Sequence, residues 1–252
     1  MNRDAASSGH PARSKRSLRW AGLVAAVLLL IGAATALWPT RTRLVVLGDS
    51  HVEGPQSSPQ GSSFVEVLRE ELGPSYEVVA AGCPGSSTHD WTHDGPSLGC
   101  SLRNAYPELG RPHLPAEIVV ILLGTNDAVG YGEERPFTPQ VYAQEMQELV
   151  RRVRRDGGRR ILLLGPPPNP LAWRRGAQRL QQYPKALAGL AEQEPNVCMG
   201  PDLQEFINFE EHFGGRRVHM NAVGHRLIGE RLALAVRALR GSSAQCAAAK
   251  AP

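Results

Sequence analysis

Five short apolar runs, spaced widely along the chain at 43–47, 76–80, 117–123, 160–164 and more weakly 196–199, constrain the fold more than any other feature. The two clearest, "EIVVILLG" and "RRILLLG", are continuous rather than alternating. A strand with one wet face alternates apolar and polar residues. A continuous run marks a strand covered on both faces, as in a parallel sheet sandwiched by helices. Helix-period segments fall between the runs, and this alternation predicts one doubly wound α/β domain over residues 41–241.

Three helices are legible. One covers 62–72. A second covers 139–155, with Tyr142, Met146, Leu149, Val150 and Val153 on one face, Thr138 as N-cap and Gly157-Gly158 ending it. Its Arg151, Arg152, Arg154 and Arg155 read as a solvated face complementing the helix C-terminus. The last covers 222–240, with Val223, Leu227, Ile228, Leu232, Leu234, Val236 and Leu239 directed inward. The long stretches 83–115 and 165–177 read as irregular, and each follows a strand, so both are expected over the C-terminal edge of the sheet. Within the second, "GPPPNP" is expected to run extended.

Charge separates the N-terminus from the rest. Arg3, Arg13, Lys15, Arg16 and Arg19 face Asp4 alone within residues 1–20, which accounts for the whole net charge of +4. The neutral remainder argues against a nucleic-acid binder, which carries its basic surface on the folded domain. The uncharged stretch 21–38, "AGLVAAVLLLIGAATALW", follows directly. As a helix it reaches ~27 Å, close to the ~30 Å hydrocarbon core of a bilayer. Basic residues before it favour a cytoplasmic N-terminus and an exported remainder. The segment reads as a membrane anchor on the extracytoplasmic side, or as a signal whose cleavage leaves a secreted or periplasmic protein; Ala34-Thr35-Ala36 has the form of a cleavage site. Residues 242–252 are a low-complexity tail. An exported chain permits disulfides, and Cys83 and Cys100 are candidates flanking a Gly/Ser/His-rich stretch, with Cys198 and Cys246 a weaker pair.

The strand ends carry the chemistry. The first run ends in Gly48-Asp49-Ser50, the second in Ala81-Gly82-Cys83, the third in Gly124-Thr125-Asn126-Asp127, and "VHMNAVGH" sets His219 before the final helix. This ordered set resembles the SGNH/GDSL hydrolases, serine esterases named for Ser, Gly, Asn and His in four blocks. The resemblance implies a flavodoxin-like three-layer sandwich on a parallel five-stranded sheet of order 2-1-3-4-5, with the site at the switch point. It implies Ser50 as nucleophile, His219 as the base that takes its proton, and an oxyanion hole from the N–H groups of Ser50 and Gly82 and the amide of Asn126. It implies no metal and no cofactor. Asp49 reads as structural, His51 as facing a loop, and His225 as lying on the first turn of the last helix.

The family usually carries an Asp three residues before the histidine, where this chain has Arg216. Three readings follow: a Ser-His centre held by a backbone carbonyl, an acid supplied by Glu210 or Glu211, or an inactive domain that binds envelope glycans or scaffolds a complex. The expected substrate is a small acyl ester, such as O-acetyl on an acylated polysaccharide, with a lipid or lysophospholipid ester as the rival. "STHDWTHDGPSLGC" repeats Thr-His-Asp, so His89 and His93 share a helix face with Asp90 and Asp94. A lid over the acyl pocket, pinned by Cys83 and Cys100, is preferred there to a metal site.

Overall fold

The computed structural model describes residues 41–53, 63–96, 100, 102–130, 137–213 and 218–241. The expectations for residues 1–20, 21–38 and 242–252, and those for Arg216 and Cys246, lie outside this set.

Each apolar run forms a strand: β1 (Thr42–Gly48), β2 (Tyr76–Gly82), β3 (Ala116–Leu122), β4 (Gly158–Leu164) and β5 (Val197–Met199). All pair in parallel, in the order β2-β1-β3-β4-β5. The helices are α1 (Ser50–Glu53), α2 (Phe64–Leu72), α3 (Thr88–Thr92), α4 (Thr125–Val129), α5 (Pro139–Arg155), α6 (Pro170–Gln193), α7 (Leu203–Phe206), α8 (Phe209–Phe213) and α9 (Ala222–Gly241).

Side chains leave a strand to alternate faces, and both faces here are dry. Leu44 and Val46 of β1, with Ile118 and Val120 of β3, pack beneath Phe64 and Leu68 of α2 and Ile228 and Leu232 of α9. Val45 and Leu47, with Val119 and Ile121, pack beneath Met146 and Leu149 of α5 and Tyr183 and Leu187 of α6. That two-sided burial is why the runs are continuous.

Local chemistry sets the helix starts. Ser63 and Glu66 form a reciprocal capping box on α2. The Thr138 hydroxyl accepts from Val141 N at 3.2 Å to start α5. Three expectations need correction. Residues 83–115 are not wholly irregular: the Ser87–Asp90 capping box starts α3, and helical turns follow at Ala105–Gly110 and Arg111–His113. Residues 165–177 are not wholly irregular: α6 begins at Pro170, because Asn169 caps it through Ala172 N at 2.7 Å and Pro at the first helical position forgoes only an orphan N–H. On α9, Val223 and Leu234 are exposed rather than inward, lying outside the stripe that Ile228, Leu232 and Val236 bury. Among the described residues no helix is long and apolar enough to cross a membrane.

Candidate active site

The sheet order makes β1 and β3 neighbours with chain connections departing to opposite sides, and beyond the C-terminal ends of such strands is where open α/β sheets form their ligand crevice. Ser50 sits there. The chain turns at once from β1 into α1, with Val52 N donating to Asp49 O at 3.0 Å, which holds Ser50 at the strand's edge.

Gly82 ends β2 alongside Gly48, and Cys83 N donates to Gly48 O at 2.9 Å. A Cβ on Gly82 would fall 2.4 Å from Glu53 N and 2.6 Å from Glu53 Cα. Only glycine lets the backbone of β2 pass this close to α1. Beyond Gly82 the chain is pinned by a Cys83–Cys100 disulfide with a Cα–Cα distance of 4.9 Å. Cys198 is disulfide-bonded as well.

Asn126 opens α4 after β3. It is buried, and its Nδ2 donates to Ser86 O at 2.9 Å, which leaves the second amide hydrogen for another acceptor. Next to it, Asp127 accepts from the backbone N–H of Thr88 at 3.2 Å. Ser86 itself donates to Cys83 O at 2.7 Å and accepts from Trp91 Nε1 at 2.9 Å. The segment after β2 is therefore sewn to the segment after β3. Ser86 was not legible in advance, because one serine among three polar neighbours carries no pattern.

His219 reaches the same crevice from the far end of the chain. Its Nε2 lies 2.9 Å from Ser50 Oγ across 169 residues. The loop that carries it is anchored by Asn221: N donates to His212 O at 2.8 Å, Nδ2 to Glu211 O at 2.6 Å, and Oδ1 accepts from Gly224 N at 3.0 Å. Asn221 thus ties α8 to the first turn of α9. Its signal in the sequence is its place immediately before a helix, a position that favours Asn.

Glu210 and Glu211 are both exposed on α8. The Glu211 carboxylate accepts from Asn208 Nδ2 at 3.0 Å and lies 3.8 Å from His212 Nε2. The structure therefore turns Glu211 toward Asn208 and His212.

Beneath Ser50 lies a group of imidazoles. His51 is fully buried, which corrects its expected place facing a loop: only Asp49 separates β1 from α1, whose turn directs the residue inward. Its ring stands edge-on to His219 with centroids 5.9 Å apart, and 6.3 Å from His225. Among the described residues, neither ring nitrogen of His51 has a hydrogen-bond partner. Burial holds it well below the usual histidine range, and the neighbouring His225 and His219 push the same way. His225, on the first turn of α9, accepts from Phe64 N at 3.3 Å through Nδ1. Burial first, then His219, brings it down to about 4. Asp49 accepts the His51 N–H at 2.9 Å, the local backbone bond expected of it. His51 and His225 surround the Ser50–His219 contact with neutral, buried walls.

Residues 46–227 match the GDSL-like lipase/acylhydrolase family. The chain is similar to the solved structure of an aryl esterase from M. smegmatis, at 26% identity and TM-score 0.63, covering 79% of this chain and 99% of that one. A carbohydrate acetylesterase from Sinorhizobium meliloti has the same fold at 19% identity and TM-score 0.59, covering 79% and 100%. So does an acetyl-xylooligosaccharide esterase variant from a Geobacillus, at 20% identity and TM-score 0.56, covering 78% and 94%. No curated protein sequence matches the chain.

Proposed function

The chain belongs to the GDSL-like lipase/acylhydrolase family, whose members are ester hydrolases, and from that premise we propose an exported serine esterase acting on small O-acyl esters, O-acetyl groups of a polysaccharide in particular. The observation that carries the reading is the 2.9 Å contact between Ser50 Oγ and His219 Nε2. That is the distance at which a base takes a proton from its nucleophile.

Ser50 Oγ attacks the ester carbonyl carbon while its proton passes to His219 Nε2. The carbonyl oxygen, now carrying the charge, sits against the N–H groups of Ser50 and Gly82 and the free amide hydrogen of Asn126. Collapse breaks the bond to the alcohol, which leaves with the proton returned by His219. Water then repeats the sequence on the acyl-enzyme, losing its proton to His219 and releasing the acid and Ser50. The Glu211 carboxylate accepts from Asn208 Nδ2, which supports a reading in which Ser50 and His219 carry the proton transfers.

Small acyl groups are favoured by the likeness to structures named for acetylesterase activity on carbohydrates. Export is supported by the basic, then apolar, N-terminal sequence and by the Cys83–Cys100 disulfide, a bond that persists in oxidising compartments.

The test is labelling by a fluorophosphonate probe together with hydrolysis of p-nitrophenyl acetate and longer acyl esters, in wild type, Ser50→Ala and His219→Ala. Labelling and acetate-selective hydrolysis lost in both variants support the proposal. Equal labelling in wild type and Ser50→Ala, or none in either, counts against a nucleophilic Ser50 and leaves a domain that binds without catalysing. A preference for long chains overturns the small-acyl assignment alone.

A further inference from the structure

We propose that His89, His93 and Glu145 form a site for a late first-row divalent cation, Zn(II) by preference, which clamps α3 onto α5 beside the Cys83–Cys100 loop. One donor atom from each residue lies within 4.8 Å of the others. His89 and His93 stand four residues apart, one on α3 and the other at its C-cap, with ring centroids 3.6 Å apart. Glu145 comes from α5, and its Oε1 lies 3.2 Å from His89 Nδ1. Two imidazoles and a carboxylate are a zinc donor set, with water as fourth ligand. Bonds of ~2.0–2.1 Å in a tetrahedral site put donors ~3.4 Å apart, so the donors must close by no more than ~1.4 Å. Small rotations of the His93 and His89 rings achieve this, because His93 is exposed and His89 half-buried.

The surroundings favour a ligand role over a casual meeting. The Thr88 hydroxyl donates to Glu145 Oε2, which orients the carboxylate and leaves Oε1 toward the histidines. Outer partners of this kind orient metal ligands. The nearby acids are occupied elsewhere: Asp90 accepts from the N–H and hydroxyl of Ser87, and Asp94 pairs with Arg152 at 3.0 Å. The Thr88 backbone N–H donates to Asp127, the residue after Asn126, so a cation here would stiffen the stitching between the segments that follow β2 and β3.

The site is tested by isothermal titration of Zn(II) into the full chain, purified without a polyhistidine tag, and by thermal unfolding with and without the metal. One Zn(II) bound per chain with a raised unfolding midpoint, and affinity weakened more than about tenfold in His93→Ala and in Glu145→Gln, supports the site. His93 is exposed, so His93→Ala removes a ligand without opening the core and remains informative should Glu145→Gln unfold. Absence of binding by the wild type overturns the proposal, as does binding that His93→Ala leaves unchanged. Neither readout depends on ester hydrolysis.

Discussion

Replacing Asp49 by Asn isolates the energetic consequence of a carboxyl group buried at the end of β1. Asp49 has no exposed surface, its Oδ1 accepts the His51 N–H at 2.9 Å, and its Oδ2 has no hydrogen-bond partner among the described residues. Burial pushes the group from an ordinary 3.8 up to about 7; Asp127 pushes the same way, while the His51 N–H opposes. A group that holds its proton more tightly in the folded chain stabilises the fold below its unfolded value. That contribution shrinks as pH rises from ~4 and is gone once pH passes ~7. The interval from 3.8 to about 7, at about 1.4 kcal/mol per tenfold change in proton affinity, amounts to ~4 kcal/mol. Asn is neutral throughout and keeps the oxygen that receives the His51 N–H. The unfolding free energy of Asp49→Asn minus that of wild type should therefore rise by several kcal/mol between pH ~4 and pH ~8, most steeply below ~7. Urea unfolding of both proteins across that range measures it. His51 and His225 titrate in the same window, but they are present in both proteins and cancel in the difference. A difference that stays flat to within ~0.5 kcal/mol refutes the reasoning.

His51 and His225 act with the opposite sign: both are held below the usual histidine value, so their stabilisation is present above ~6.5 and is lost as pH falls, through about 4 for His225. His51→Leu removes two ring nitrogens unpartnered among the described residues and should gain ~1–3 kcal/mol over wild type at acid pH, measured by thermal unfolding; a variant more destabilised at acid than at neutral pH contradicts this. Gly82→Ala places a methyl 2.4 Å from Glu53 N and should cost ~1–3 kcal/mol together with most of the hydrolytic rate, and wild-type values for both would dismiss the close approach. Cys83→Ser with Cys100→Ser opens a crosslink of sequence separation 17 and should lower unfolding free energy by ~3 kcal/mol in urea, whereas an unchanged midpoint would show that the bond adds no stability.

What the sequence made legible, and what it did not, divides along a physical line. Burial on both faces forces residues 44–47 and 118–123 to be apolar at successive positions, so β1 and β3 could be read from composition alone. The Ser50–His219 meeting spans 169 residues and no periodicity encodes it; it was readable only because four short blocks occur in a familiar order. The start of α6 was hidden by its prolines, since "GPPPNP" reads as a breaker until Asn169 is seen to cap and Pro170 to occupy the first turn. His51 was misplaced because the sequence does not show that α1 follows β1 without a loop. Glu145 is the sharpest case. Sequence proximity put Asp90 and Asp94 beside His89 and His93, yet capping draws Asp90 to Ser87 and a surface ion pair draws Asp94 to Arg152. The carboxylate that does meet His89 comes from the polar side of α5, where any of several glutamates satisfies the helical pattern. Only the packing of α3 on α5 selects among them, and such a choice between two elements is one that a one-dimensional pattern cannot carry.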